Sequence, residues 1–120
     1  MPQTEVIIFA DGDNSSPLLR WLDRQPHKVQ DKCIVQIERL AQLGYELRRP
    51  AADYLRDAIY ELRFRYGNVN YRMLYFFHDK IVIISHGFTK EDKVPDVEIE
   101  RAIRNKMMFE ANPNEHSYKE

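Results

Sequence analysis

At 120 residues, with 43% hydrophobic and 12% aromatic side chains, the chain has room for one modest core, and this composition excludes a disordered chain. Its 18 Lys and Arg against 19 Asp and Glu leave a formal net charge of −1, so the molecule as a whole is no general polyanion binder. A single cysteine, Cys33, excludes an internal disulfide, and nothing approaches the roughly 18 uninterrupted apolar residues of a membrane span.

No basic start followed by an apolar run marks a signal peptide, so a reducing cytoplasm and no membrane partner are expected. Residues 5–9, with Val6, Ile7, Ile8 and Phe9, read as a short buried strand. Asp11-Gly12-Asp13-Asn14 breaks it, and Ser16-Pro17 supplies an N-cap followed by a proline where a missing N–H costs nothing. Leu18, Leu19 and Leu22, with Trp21 beside them, give a short helix its apolar side. Pro26 opens a longer helix in which Val29, Cys33, Ile37 and Leu40 form a stripe, and Gly44 ends it. Within that stripe Cys33 reads as a small buried side chain.

After Leu47-Arg48-Arg49-Pro50 the period changes to two. In residues 58–66, Glu61, Arg63 and Arg65 alternate with Tyr60, Leu62, Phe64 and Tyr66, as on a half-solvated strand. Residues 67–70 read as a turn and 71–77 as the return strand. After a turn at His78-Asp79-Lys80, Ile81-Val82-Ile83-Ile84 begins a strand covered on both faces. Residues 87–95 read as a loop. Asp96 can cap a last helix with Ile99, Ala102, Ile103 and Met107 on one side. The order β-α-α-β-β-β-α gives an α+β fold: two N-terminal helices packed on a small antiparallel sheet, with a C-terminal helix. Residues 1–112 are expected to form the single domain, and 113–120 a polar tail that frays.

Charge is unevenly spread. Arg48, Arg49, Arg56, Arg63, Arg65 and Arg72 face only Asp53, Asp57 and Glu61 in the same stretch. A hairpin turning at 67–70 brings Arg63 or Arg65 near Arg72, and guanidinium groups match phosphate with paired donors. The same cluster also fits an ordinary solvated strand face, balanced by Glu61 or Asp57, or a patch for an acidic protein partner. His86, at a strand end, suits proton transfer in its neutral form or a purely structural role. Lys90 and Lys93 flank Glu91 and Asp92 in a loop that either closes over a nucleic-acid backbone or is simply solvated. Tyr66, Tyr71 and Tyr75 are core or half-buried candidates, one of which could stack on a base. The four histidines have no metal-ligand spacing, so neither metal nor cofactor is expected.

Tyr60-Glu61-Leu62-Arg63, then Tyr71-Arg72-Met73-Leu74-Tyr75-Phe76-Phe77, then His86-Gly87-Phe88-Thr89-Lys90 resemble the phage-derived Gp49-like, HigB-type branch of the RelE/ParE toxin superfamily. The resemblance covers roughly residues 5–110 of the chain. It implies the toxin half of a type II toxin–antitoxin pair, with a helix-turn-helix antitoxin, messenger RNA and the ribosome as partners. The implied reaction is metal-independent endoribonuclease cleavage, in which the RNA's own 2′-hydroxyl attacks the adjacent phosphate. On this chain the resemblance makes Arg72, Lys90 and His86 the catalytic candidates. It makes Arg63, Arg65, Lys93 and Tyr71 the RNA-binding ones. Where members of the family often carry two adjacent lysines, Lys90 is followed here by Glu91 and Asp92. The implied alternative is a toxin-like protein that binds without cutting, as a gyrase inhibitor or a partner-bound regulatory subunit.

Overall fold

The computed structural model describes residues 3–90 and 92–120. In chain order the elements are β1 (Val6–Ile8), α1 (Pro17–Asp23), α2 (His27–Leu43), β2 (Ala52–Arg56), β3 (Ile59–Tyr66), β4 (Val69–His78), β5 (Ile81–Thr89) and α3 (Asp96–Ala111). One turn of 3₁₀ helix at Gly44–Glu46 follows α2. The strands form one sheet in the order β1-β5-β4-β3-β2. Every neighbouring pair is antiparallel except β1 and β5, which run parallel.

The helix starts follow local chemistry. The Ser16 hydroxyl accepts a hydrogen bond from the Leu19 N–H at 3.1 Å, with Pro17 first in the helix. Gly44 ends α2 at φ 56°, in the left-handed region, and its N–H donates to the Leu40 carbonyl. α1 and α2 cover one face of the sheet, setting Leu18, Trp21, Val29, Cys33 and Leu40 against Leu62, Met73, Tyr75, Val82 and Ile84. α3 covers the other face, setting Ile99, Ala102 and Phe109 against Ile59, Leu74, Phe76 and Ile83. β5 is therefore buried on both sides, as its apolar run requires. Trp21 of α1 lies so close to β5 that a Cβ on Gly87 would run into its ring. Burial pushes the Cys33 thiol up to about 12, which keeps it protonated and unreactive.

Several features depart from the sequence reading. β2 is an additional strand, paired with β3 from Ala52↔Leu62 to Arg56↔Ile59. The β3–β4 turn is only Gly67-Asn68, with Val69 and Asn70 already in the ladder. β5 runs on to Thr89, because Gly87, Phe88 and Thr89 pair with Met73, Arg72 and Tyr71. At α3, Pro95 is the N-cap and Asp96 makes no cap bond; its carboxylate instead meets Arg56 at 3.4 Å. On that helix Met107 is 65% exposed, and Asn105 and Phe109 take the buried positions.

The segment 113–120, expected to fray, lies against β1. The Ala10 N–H donates to the His116 carbonyl at 2.8 Å, and the Tyr118 N–H to the Ile8 carbonyl at 2.8 Å. The His116 ring stacks on Phe9, and the Lys119 N–H donates to Asn14 Oδ1 at 2.7 Å. Composition does not reveal this, since the partners are polar atoms about a hundred residues away in sequence.

Candidate nucleic-acid interface

β3 outruns its neighbour. β2 pairs only as far as Leu62, so the rest of β3 has an open edge beside α2 and the segment before β2. There the Arg63 N–H donates to the Ala51 carbonyl at 2.8 Å, and Gln36 Nε2 from α2 donates to the Arg63 carbonyl at 2.7 Å. These bonds satisfy the exposed edge and bring α2 to its rim. The result is a cleft of about 440 Å³ lined by Gln36, Arg39, Pro50, Ala51, Arg63, Phe64, Arg65, Asn70 and Arg72.

Strand alternation places Glu61, Arg63 and Arg65 on one face of β3, and Arg63 lies directly opposite Arg72 of β4. Like charges so placed repel unless a carboxylate separates them. Glu61 does so: one oxygen accepts from Arg63 Nη1 at 3.0 Å and the other from Arg72 Nη1 at 2.6 Å, with the Glu61 side chain 3% exposed. Arg72 is engaged elsewhere too. Its Nη2 donates to the Asp92 carbonyl at 2.6 Å and its Nε to the Lys90 carbonyl at 3.3 Å. Arg72 is thus the buried post on which the loop after β5 hangs. Arg63, with Nε on the Pro50 carbonyl at 2.7 Å, is partly open, and Arg65 is exposed.

The remaining sequence candidates divide. Lys90 and Lys93 are exposed in the loop that Arg72 holds, and Lys90 lines a shallow depression with Val69, Asn70, Thr89 and Asp92. Tyr71 points into the helix-side core, stacked on Phe64 at 5.2 Å, so it touches the cleft only through Phe64. His86 is 1% exposed under α3. Its Nε2 lies 3.0 Å from Glu98 Oε1, and its Nδ1 2.8 Å from the Ser85 hydroxyl, which accepts from Asn105 Nδ2 at 2.8 Å. One tautomer completes this chain: Nε2–H donates to Glu98, and the Ser85 hydroxyl donates to Nδ1. Burial first, and Arg101 second, push the imidazole down to about 3, so it is neutral even beside a carboxylate. The structure therefore gathers Arg63, Arg65 and Arg72, hangs Lys90 from Arg72, and sets His86 apart.

Sequence reasoning missed Gln36 and Arg39, which α2 adds to the cleft, and named Glu61 only as one of the carboxylates that could balance the arginines. A signal for Gln36 existed: it falls in the buried register of Val29, Cys33 and Leu40, where a polar side chain needs a partner. Among the described residues no three His, Cys, Asp or Glu stand together as metal ligands, and no helix is long and apolar enough to cross a membrane.

Residues 20–107 match the family model described as phage derived protein Gp49-like (DUF891). The chain belongs to this Gp49-like family. The match runs from α1 into α3, so every cleft residue of this Gp49-like protein falls within it. A search of curated proteins returned no match.

Proposed function

We propose that this Gp49-like protein is the toxin of a type II toxin–antitoxin pair. In this reading it is a metal-independent endoribonuclease of the RelE/ParE kind that cuts messenger RNA on the ribosome. The observation that supports it is the set of guanidinium groups lining one cleft on β3 and β4. Arg63 and Arg65, the less buried members, take the phosphodiester by paired donors. Arg72 and Lys90 then steady the charge that grows on phosphorus as the 2′-oxygen attacks and the bond to the 5′-oxygen breaks. The 2′-hydroxyl gives up its proton to solvent water as its oxygen bonds to phosphorus, and Lys90 supplies a proton to the leaving 5′-oxygen, so that a cyclic phosphate and a 5′-hydroxyl result. An entering phosphate competes with Glu61 for Arg63, so binding loosens one half of the clamp. In this reading His86, sealed under α3, serves by fixing β5 and not by touching RNA. The cognate helix-turn-helix antitoxin would cover the same cationic surface.

The test is controlled expression followed by mapping of transcript 5′ ends. Wild type should stop growth and create new 5′-hydroxyl ends. Replacing both Arg63→Ala and Arg65→Ala should reduce cleavage about a hundredfold in a chain that still folds. Verified production of wild type with unchanged growth and unchanged ends overturns the reading.

The second reading, a protein that binds without cutting, is favoured by one feature: every nitrogen of the Arg72 guanidinium already has a protein acceptor. A DNA supercoiling assay run beside the RNA mapping separates a gyrase inhibitor from a nuclease. Salt-sensitive copurification without either activity marks a regulatory subunit.

A further inference from the structure

Beside the arginine cleft lies a second groove of about 570 Å³, between the end of α2 and the edge strand β2. Tyr45 and Tyr54 line it and are 67% and 53% exposed, high values for tyrosines with such well-held rings. Tyr45 rests edge-on against Phe77 at 6.4 Å, and Tyr54 edge-on against Tyr60 at 5.0 Å. The Tyr54 hydroxyl also accepts from the Ala58 N–H at 3.1 Å. Two aromatic faces are thus fixed in advance and left open to solvent. Arg48 and Arg49 line the same groove; Arg49 is paired with Asp53 at 2.8 Å, which leaves Arg48 as the net charge.

We propose that this groove is a second nucleic-acid subsite, seating one unpaired base of the RNA strand whose phosphates lie on the arginine cleft. The inference rests on the RNA reading above and adds where the strand goes next. Pro50 and Ala51 line the first cleft, and Ala52 and Asp53, next in the chain, line the second. The Arg63 Nε bond to the Pro50 carbonyl ties this partition to the phosphate side. Preset aromatic faces beside arginines suit stacked bases and their phosphates, because every base offers a π-face and the rings lose little freedom on binding. An added strand from a protein partner fits less well. β2 is five residues long, and its register slips between Tyr54 and Arg56, which breaks the ladder such a strand would extend.

The test uses 2′-O-methyl RNA, which cannot be cut by 2′-hydroxyl attack, lengthened one nucleotide at a time from either end and titrated by fluorescence anisotropy. In wild type one added nucleotide should tighten binding by roughly tenfold, the scale of a single base–aromatic stack. The double variant Tyr45→Leu with Tyr54→Leu should lose that step yet hold the shorter RNA unchanged. Arg63→Ala with Arg65→Ala should weaken every length. Ultraviolet crosslinking of wild type should place the added base on Tyr45 or Tyr54. Smooth wild-type binding without a step, or a step kept by the tyrosine variant, overturns this inference and leaves the RNA reading standing. An unchanged step with lost antitoxin affinity assigns the groove to a protein and overturns it too. Wild type that binds no length of RNA overturns both.

Discussion

The arginine cleft on β3 and β4 and the His86 network on β5 and α3 meet along the β4–β5 ladder, two residues apart: Arg72 lies opposite Phe88, and Leu74 opposite His86. Both hold a buried basic group, and they resolve its charge in opposite ways. A guanidinium cannot shed its proton, so Arg72 is tolerable only because Glu61 and two loop carbonyls meet it. An imidazole can shed its proton, so under α3 it does, and His86 is left as a neutral link between Glu98 and Ser85. Which chemistry a site retains depends here on whether the fold supplies a counter-charge or a dry cover. The arginine cleft keeps its cationic charge, and the covered imidazole keeps none.

Removing the counter-charge breaks this contrast most directly. Glu61→Ala leaves Arg72 charged, buried and facing Arg63, and should cost about 3–5 kcal/mol in urea unfolding. The loop hung on Arg72 should loosen with it, seen as faster amide exchange at Lys90 and Asp92. A loss under about 1 kcal/mol would mean that water, not Glu61, satisfies Arg72. Glu61→Gln, which keeps one acceptor oxygen, should fall between the alanine variant and wild type.

Much of this frame was readable from local pattern. The Ser16-Pro17 start of α1, the stripe of α2, the β3–β4 hairpin and the covered strand β5 each follow from signals within a few residues. What escaped was set by distant contacts. β2, with its mixed ADYLR sequence, is a strand only because β3 pairs with it. Segment 113–120 is ordered by atoms of residues 8–14. At the site, alternation and the hairpin put Arg63 or Arg65 near Arg72, and the shorter turn at Gly67-Asn68 makes it Arg63. The sealing of His86 was not, because it depends on α3 folding back over the bulge between Leu74 and Tyr75. Nor could spacing show that each nitrogen of the Arg72 guanidinium already meets an acceptor within the protein.

Acidity sharpens the contrast from the His86 side. The folded imidazole titrates at about 3 and the unfolded one near its ordinary 6.5, so between those values the unfolded chain binds the extra proton. Stability is therefore full above pH 6.5 and falls as pH drops through that window, by at most about 1.4 kcal/mol per pH unit. Asp53 is held below the ordinary 3.8 of a carboxyl by its bond from Arg49, so its contribution is lost only at lower pH. The range from 6.5 down to 3.8 thus reports on His86 largely free of that carboxylate. Urea midpoints for His86→Gln should be flatter than wild type across this range, while RNA binding at neutral pH stays unchanged. Equal slopes in the two chains would show that His86 is solvated and not sealed.

The smallest expected effect lies in the β2–β3 turn, away from both regions, and supplies a control for them. Asp57 and Ala58 connect Arg56 to Ile59 with φ of 53° and 66°, the left-handed pair that a two-residue hairpin demands. Aspartate tolerates that region because its side chain can bond locally, but alanine brings its Cβ against the following carbonyl, at a cost of roughly 1–2 kcal/mol. Glycine removes this clash but frees the unfolded chain, which takes back part of the gain. Ala58→Gly should therefore stabilise the fold by about 0.5–1 kcal/mol, measured as a higher urea midpoint with unchanged m. The Ala58 N–H that donates to Tyr54 is retained in the variant, so the exposed ring keeps its support. Added to Glu61→Ala or His86→Gln, the substitution should raise each midpoint by the same amount and leave their differences intact, since it shares no partner with either residue. Non-additivity with Glu61→Ala alone would reveal strain passing along β3 from the turn to the clamp.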